Sequence, residues 1–307
     1  MVPRPILRSS HRKLTRWTIA MRRYLSTTVL LTLATVLSGC NLVVLDPKGP
    51  IGISERSIIY LATALMLIIV IPVIAMIFAF AWQYRASNTR ATYTPNWDTS
   101  HKIAAVVALV TCSIVLWLAI LTWRTSHTLD PYRPLASATR PITIDVVALD
   151  WKWLFIYPEL NIASVNEVAF PANVPVNFRI TASSVMNSFF IPQLGGQIYA
   201  MPGMQTKLSL IAGEAGSYDG MSANYSGAGF SDMKFKAVAM SVQGFQDWVA
   251  KAASSSDHLS GDAYKALARP SEKSPVAYFS SVDPGIYPAL LRMAENKAFP
   301  ICFARKD

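Results

Sequence analysis

Residues 141–157 read PITIDVVALDWKWLFIY. Two apolar runs, PITIDVVAL and WKWLFIY, are rich in β-branched and aromatic residues and are separated by the single Asp150. Such side chains pack well on a pleated surface, so the runs predict extended chain. Comparable runs follow as PVNFRIT (175–181), QTKLSLI (205–211) and KFKAVAM (234–240), some of them alternating, with Pro, Gly, Asn and Ser between them. Short strands at strand-plus-turn spacing predict an all-β sandwich or barrel over residues 136–241. About 100 residues is enough chain to bury one core.

Downstream the period changes. Phe245, Trp248, Val249 and Ala252 recur at helical spacing, and Asp283-Pro284 reads as a cap and first turn before Ile286, Leu290, Leu291 and Ala294. Residues 242–296 are therefore expected to form a helical appendage that packs on the sandwich or on a partner.

Upstream lie two membrane-length segments. Residues 57–84 carry no charge, and neither do residues 103–123, which Lys102 and Arg124 border. Both runs reach the roughly 20 residues that a spanning helix needs, which places helices at about 57–83 and 103–124. Tyr60, Trp82 and Tyr84 stand at the ends of the first, where aromatic belts belong. The loop between the helices holds Arg85, Arg90 and Lys102 against Asp98, so the positive-inside rule puts it in the cytoplasm and residues 130–307 outside. Neither helix has an acid, a base or a His at mid-depth, which argues against a transporter or proton relay. His101 and His127, at opposite ends of the second helix, read as interfacial residues.

The formal net charge is +10, yet residues 130–307 hold 15 Lys/Arg and 15 Asp/Glu. Seven of the positive charges fall in residues 1–23. That is a targeting pattern and not a nucleic-acid footprint. Residues 24–39 form a short apolar core ending in Leu37-Ser38-Gly39-Cys40. We read residues 1–39 as a lipoprotein signal peptide, and residues 40–135 as a mature segment that begins with an acylated Cys40 and contains the hairpin. The other cysteines, Cys112 and Cys302, fall in a membrane helix and near the C-terminus, so neither a disulfide nor a cysteine metal pair is expected.

The stretch YDGMSANYSGAGFSDM (218–233) is a glycine- and serine-rich turn between strand-like runs. Ser222 and Ser226 are four apart, Phe230 follows four later and Met233 three after that. A metal loop could use that spacing, yet only the methionine is a soft-metal ligand. Between residues 128 and 257 there is no His and no Cys. A sandwich that held copper for electron transfer would need imidazole and thiolate.

From about residue 38 to residue 290 the chain resembles subunit II of the haem–copper terminal oxidases, and within that family subunit II of the cytochrome bo-type ubiquinol oxidases. The resemblance is carried by LDPKGPIG (45–52), YRASN (84–88), PITIDVVALDWKWLFIYPE (141–159), NEVAFPANVPV (166–176) and SVMNSFFIPQLGGQIYAMPGMQTKL (184–208). It implies a two-helix transmembrane hairpin, then an all-β cupredoxin-like sandwich, with a C-terminal helical appendage. In the cytochrome c branch of the family the corresponding loop holds a binuclear copper centre. Carried onto this chain, its His, Cys, Glu-carbonyl, Cys, His and Met positions fall on Asn187, Ser222, Asn224, Ser226, Phe230 and Met233, so that only the methionine is kept. Trp151 and Trp153 occupy the place of the aromatic electron-input cluster, and are expected to pack within the domain or to touch subunit I.

The resemblance implies a non-copper subunit of a proton-pumping ubiquinol oxidase in the bacterial inner membrane, with no catalytic centre and no cofactor in this chain. Haems and copper are expected in subunit I, with subunits III and IV, membrane lipid and ubiquinol as further partners. Near the start of the second helix the family has Glu, then Trp, then Pro; this chain has Ala104, Ala108 and Thr111, which removes a carboxylate associated with the mouth of a proton channel. Two other readings are a copper-binding electron-input subunit of a cytochrome c oxidase, and a divergent lipoprotein outside any oxidase. The missing imidazole and thiolate count against the first, and co-purification with haem would exclude the second.

Overall fold

The computed structural model of the chain describes residues 42–92, 98, 100–135, 137 and 139–293, together with Thr27, Thr28 and Thr32. Cys40, most of the expected signal peptide, Ala294 and Cys302 lie outside the described residues.

Helix α1 spans Pro50–Gln83 and α2 spans His101–Thr128. Both begin before the uncharged segments do, because a charge at the membrane surface does not stop a helix. Pro50 occupies the first turn of α1, where its missing N–H costs nothing, and Pro72 sits inside the helix without interrupting it. Most residues of both helices are exposed to their surroundings, including Phe78, Trp82, Trp117 and Trp123. A surface this apolar over this length belongs in a bilayer or against another membrane protein.

The remainder is a sandwich. A six-stranded sheet runs in the order β12-β3-β2-β1-β5-β8 and a five-stranded sheet in the order β4-β10-β9-β6-β7. The strands are β1 Ile142–Leu149, β2 Lys152–Tyr157, β3 Ile162–Val165, β4 Glu167–Pro171, β5 Val176–Ala182, β6 Asn187–Phe190, β7 Ile198–Ala200, β8 Thr206–Leu210, β9 Gly216–Ser222 and β10 Lys234–Met240. All five runs read from the sequence are strands, namely β1, β2, β5, β8 and β10. Strands β3, β4, β6, β7 and β9 were not among them, being short or broken by polar residues.

Between the sheets lies an aromatic core. Trp153, Phe155, Tyr157, Phe170, Phe178 and Phe189 are buried to within 1% of full burial. Phe189 and Phe235 stack at 5.0 Å, and Trp153 meets their edges at 5.3 and 5.7 Å. Each such ring contributes about 1.5–3 kcal/mol by leaving water.

The segment after residue 241 is not purely helical. It contains α3 Val242–Ala253, α4 Gly261–Leu267 and α5 Ile286–Met293, but also β11 His258–Leu259, β12 Ala277–Phe279 and β13 Ser281–Val282. Strand β12 pairs antiparallel with β3 and so extends the large sheet. Asp283 does not cap α5; its carboxylate accepts from the Gly261 N–H at 3.0 Å and lies 3.2 Å from the His258 ring. The segment covers the outer face of the large sheet. There Val147, Leu149, Leu154, Ile156, Ala163 and Val165 pack against Leu259, Val282, Ile286, Tyr287 and Leu290.

Polar ties fix this cover. Lys152, 3% exposed, donates through Nζ to the Leu267 and Arg269 carbonyls at 2.8 and 2.9 Å and to Ser271 Oγ at 2.5 Å. Burial lowers its pKa from the ordinary lysine range, while Asp150 pulls it back up. Glu167 Oε1 accepts from Trp248 Nε1 at 2.8 Å and from the Tyr278 hydroxyl at 2.6 Å. Burial, then that carboxylate, push the Tyr278 hydroxyl up to about 12. Lys152→Ala removes the donor that the Leu267 and Arg269 carbonyls share, for a loss of roughly 3 kcal/mol. Thermal unfolding and limited proteolysis check this: the variant should melt lower and be cut first within residues 260–276.

Candidate functional site

The glycine-rich turn links β9 to β10 at one end of the small sheet. Strand β6 starts at Asn187 and pairs antiparallel with β9, placing Phe189 opposite Ser222. After Ser222 the chain loops to a single 3-10 turn at Phe230–Asp232 and reaches Met233. The Ser222 N–H donates to the Met233 carbonyl at 3.1 Å and the Ala223 N–H to that of Ser188 at 3.0 Å, which closes the loop at its base.

Of the six positions singled out in the sequence, Asn187, Ser222 and Asn224 are hydrogen-bonded together and Met233 closes on Ser222 through the backbone, whereas Ser226 Oγ is buried without a hydrogen-bond partner among the described residues. Ser222 Oγ lies 3.1 Å from Asn187 Oδ1 and 3.3 Å from the Asn224 carbonyl, so its one proton serves two oxygens. The Asn187 amide donates to the Val185 carbonyl at 3.1 Å and the Asn224 amide to that of Met186 at 3.2 Å. The Phe230 ring meets the Tyr225 ring edge-on at 5.6 Å. The Phe230 carbonyl accepts from the Met233 N–H at 3.1 Å, and Met233 is buried. None of the six side chains is ionisable.

Donor chemistry decides what this arrangement can hold. It offers hydroxyls, carboxamides, carbonyls and one thioether, where a copper centre of the soft electron-transfer type takes thiolate and imidazole. The residues present do not fit that centre. Among the described residues, no three of His, Cys, Asp and Glu are grouped as a metal site.

The two tryptophans part company. Trp153 is fully buried in the core, and its Nε1 has no hydrogen-bond partner among the described residues. It therefore presents no surface to a partner subunit. Trp151 lies outside any strand, in the β1–β2 turn, at φ 66°. A bulky residue pays on the order of 1–2 kcal/mol for left-handed backbone. Its half-buried indole lies under the loop and donates through Nε1 to the Ser226 carbonyl at 3.1 Å. A Cβ at Gly229 would fall 2.6 Å from that ring, and one at Gly227 (φ 119°) would fall 3.0 Å away. The serines and glycines of the loop thus serve an indole, a role the sequence signals only through the closeness of Gly227 and Gly229.

The large sheet carries a second polar arrangement absent from the sequence reading. Asp145 and Arg179 stand opposite each other on the parallel pair β1–β5, and the guanidinium grips the carboxylate through Nε at 2.5 Å and Nη2 at 2.7 Å. Burial raises the Asp145 carboxyl, and Arg179 draws it back down. Charged residues in mid-strand, in runs otherwise apolar, were the signal available for it.

Residues 156–240 match the family described as cytochrome c oxidase subunit II, periplasmic domain, and residues 253–296 match the COX aromatic-rich motif. Cytochrome bo(3) ubiquinol oxidase subunit 2 of Pseudomonas aeruginosa is 59% identical over 263 residues, covering 86% of this chain and 80% of that protein. Ubiquinol oxidase subunit 2 of Acetobacter aceti is 53% identical over 268 residues, 87% of each chain. The crystal structure of the periplasmic domain of cytochrome oxidase subunit II (CoxB) from Bradyrhizobium japonicum is 23% identical, covers 36% of this chain and 91% of that one, and superposes with a TM-score of 0.35.

A double-mutant cycle tests the support of the loop by Trp151. Gly229→Ala drives a methyl into the indole and should cost about 1–3 kcal/mol. In a Trp151→Ala background the same change should cost close to nothing, so the pair couples by at least about 1 kcal/mol. Strict additivity in urea unfolding would show that the loop does not rest on the indole.

Proposed function

The chain belongs to the ubiquinol oxidase subunit 2 family, and from that membership we propose that it is the redox-silent subunit II of a membrane-anchored, proton-pumping ubiquinol oxidase. Ubiquinol is oxidised, and oxygen reduced to water, at haem and copper centres in a large subunit I. This chain supports assembly and stability and shields the outer face of the complex. The observation that carries the reading is the donor set at Asn187, Ser222, Asn224, Ser226, Phe230 and Met233. It is uncharged, with Ser222 bonded to Asn187 and Asn224 and the Ser226 carbonyl accepting from Trp151, and it offers no thiolate or imidazole to accept an electron through copper.

The partners follow from the same reading: subunit I foremost, then subunits III and IV, with ubiquinol reaching the complex through the membrane. Val185, Met186 and Tyr225, which is 75% exposed, form an apolar surface beside the loop that favours burial against another subunit. Helix α2 carries Ala104 where the family has a carboxylate, so this chain adds no acid at that point to proton uptake. Signal cleavage before Cys40 would leave an acylated N-terminus outside the inner membrane and the sandwich in the periplasm.

Purification of the complex through this chain tests the proposal. Haem bands should co-purify, ubiquinol should drive oxygen consumption, reduced cytochrome c should not, and the isolated exported region should bind no pair of coppers. Turnover with cytochrome c in place of quinol overturns the reading. For the anchor, Cys40→Ser should remove the acyl mass from the purified chain and leave the precursor uncut; an unchanged intact mass would exclude lipidation there.

A further inference from the structure

The junction between the membrane helices and the sandwich contains an unassigned cavity. At about 1.5 Å per residue α1 is some 50 Å long, well beyond the roughly 30 Å of a hydrocarbon core. Its uncharged part begins at Ser57, so Pro50–Arg56 stands clear of the hydrocarbon beside the sandwich. Helix α2 ends at Thr128 on the same side, and a turn follows in which the Arg133 N–H donates to the Asp130 carbonyl at 3.0 Å. Between these ends and the sandwich lies a cavity of about 330 Å³, whose lining includes Ile51, Glu55, Leu129, Arg133, Gln197 and Leu208. With the uncharged part of α1 placed across a bilayer, the cavity falls at the level of the headgroups.

Its charges are unmatched. Glu55 is half-buried and accepts the Gly196 N–H; no lysine, arginine or histidine among the described residues pairs with it. Gly196 makes that approach possible, since a Cβ there would lie 2.9 Å from Glu55 Oε1. The neighbouring Arg56 points elsewhere, to the Leu45 carbonyl at 3.4 Å. The Arg133 guanidinium, at the exposed rim, has no hydrogen bond or ion pair among the described residues. The third charge, Asp130, has one carboxylate oxygen taken by the Tyr132 N–H at 2.9 Å. One cavity therefore holds two carboxylates, Glu55 and Asp130, and one guanidinium, Arg133, with no ion pair among them.

We infer that this cleft binds the headgroup of a zwitterionic phospholipid bearing a primary amine, with the ammonium on Glu55 and the phosphate on Arg133. A zwitterion presents both charges a few ångströms apart, matching two separated protein charges that one ion could not satisfy. A phosphatidylglycerol headgroup could set the same phosphate on Arg133 but would bring Glu55 no cation. A quaternary ammonium would bring Glu55 no N–H donor. Ile51, Leu129 and Leu208 supply apolar surface where the glycerol and first methylenes would lie, and the exposed sides of α1 and α2 continue it into the bilayer. The inference needs the helices to span a membrane; it does not need the chain to belong to a quinol oxidase.

The test uses the full chain, purified from membranes with the subunits that accompany it and stripped of loosely held lipid. Native mass spectrometry follows titration with phosphatidylethanolamine, phosphatidylglycerol or soluble glycerophosphoethanolamine. One phosphatidylethanolamine should bind per chain, Glu55→Gln and Arg133→Gln should each weaken it about tenfold, and phosphatidylglycerol should bind at least tenfold more weakly than phosphatidylethanolamine. Arg133 is at the surface, so its variant reports even where Glu55→Gln fails to assemble. Equal binding of the two lipids, unchanged affinity in Arg133→Gln, or binding of the soluble headgroup as tightly as the lipid would each overturn the assignment. Haem content and quinol turnover of the same preparations report separately on the functional reading.

Discussion

The central strands of the large sheet, β1, β2 and β3, are buried on both faces, and that constraint governs the rest of the sandwich. In β2 the alternation of a pleated strand sends Trp153, Phe155 and Tyr157 to the inter-sheet core and Leu154 and Ile156 to the opposite side. Strand β1 divides in the same way, with Ile144, Val146 and Ala148 inward and Val147 and Leu149 outward. A sandwich supplies one cover, so a second must come from elsewhere in the chain. The segment after residue 241 provides it, with α5 and the β11–β13 pair lying over the outer face and α3 closing the core through Phe245 and Trp248. The described part of the matched aromatic-rich segment, residues 253–293, is in this sense part of the domain's core.

Burying both faces forces each charged residue within these strands to find a partner. Asp145 answers to Arg179 on the neighbouring strand, and Lys152 answers to carbonyl oxygens of the covering segment. Removing one partner of such a contact costs more than the contact contributes, because an uncompensated charge remains in a dry place. The polar ties therefore set where the cover sits, while the apolar area makes covering favourable. The loop at residues 223–229 follows the same logic. Its shape rests on the hydroxyl–amide contacts of Ser222, Asn187 and Asn224 and on the indole of Trp151, so it holds its course without ligands.

How far the sequence announces this depends on the number of covers. Strands β8 and β10, exposed on one face, alternate cleanly as TKLSL and KFKAVAM. Strands β1 and β2 read as near-continuous apolar runs, the mark of burial on both faces. The runs identify strands from the sequence, but a second cover can be inferred only by asking why neither face is polar. Strand β12 escapes notice because AYF, three residues, is too short to show a period and pairs with β3, which lies more than 100 residues earlier. The membrane helices are legible because hydrocarbon is an unambiguous solvent. Their extra turns are not, since those turns answer to the sandwich. Of the loop, the absence of thiolate and imidazole is legible residue by residue; the part played by Trp151 is not, because it depends on a left-handed turn.

A subunit anchored by two membrane helices needs a fixed pose, and the short stem before α1 shows how one is obtained. The Lys48 N–H donates to the Gln193 carbonyl at 2.7 Å, the Gly213 N–H to the Lys48 carbonyl at 2.7 Å, and the Gly52 N–H to the Leu194 carbonyl at 3.2 Å. Backbone comes this close only because Gly49 and Gly52 lack side chains. A Cβ at Gly49 would sit 2.4 Å from the Ile211 carbonyl, and one at Gly52 2.8 Å from Pro47. Main-chain hydrogen bonds at this spacing leave no hinge between the first turn of α1 and the sandwich, so a helix held by a membrane partner transmits its position directly to the exported domain. That coupling, unlike a copper centre, needs no particular ligand chemistry, and it holds in a chain whose loop offers neither thiolate nor imidazole.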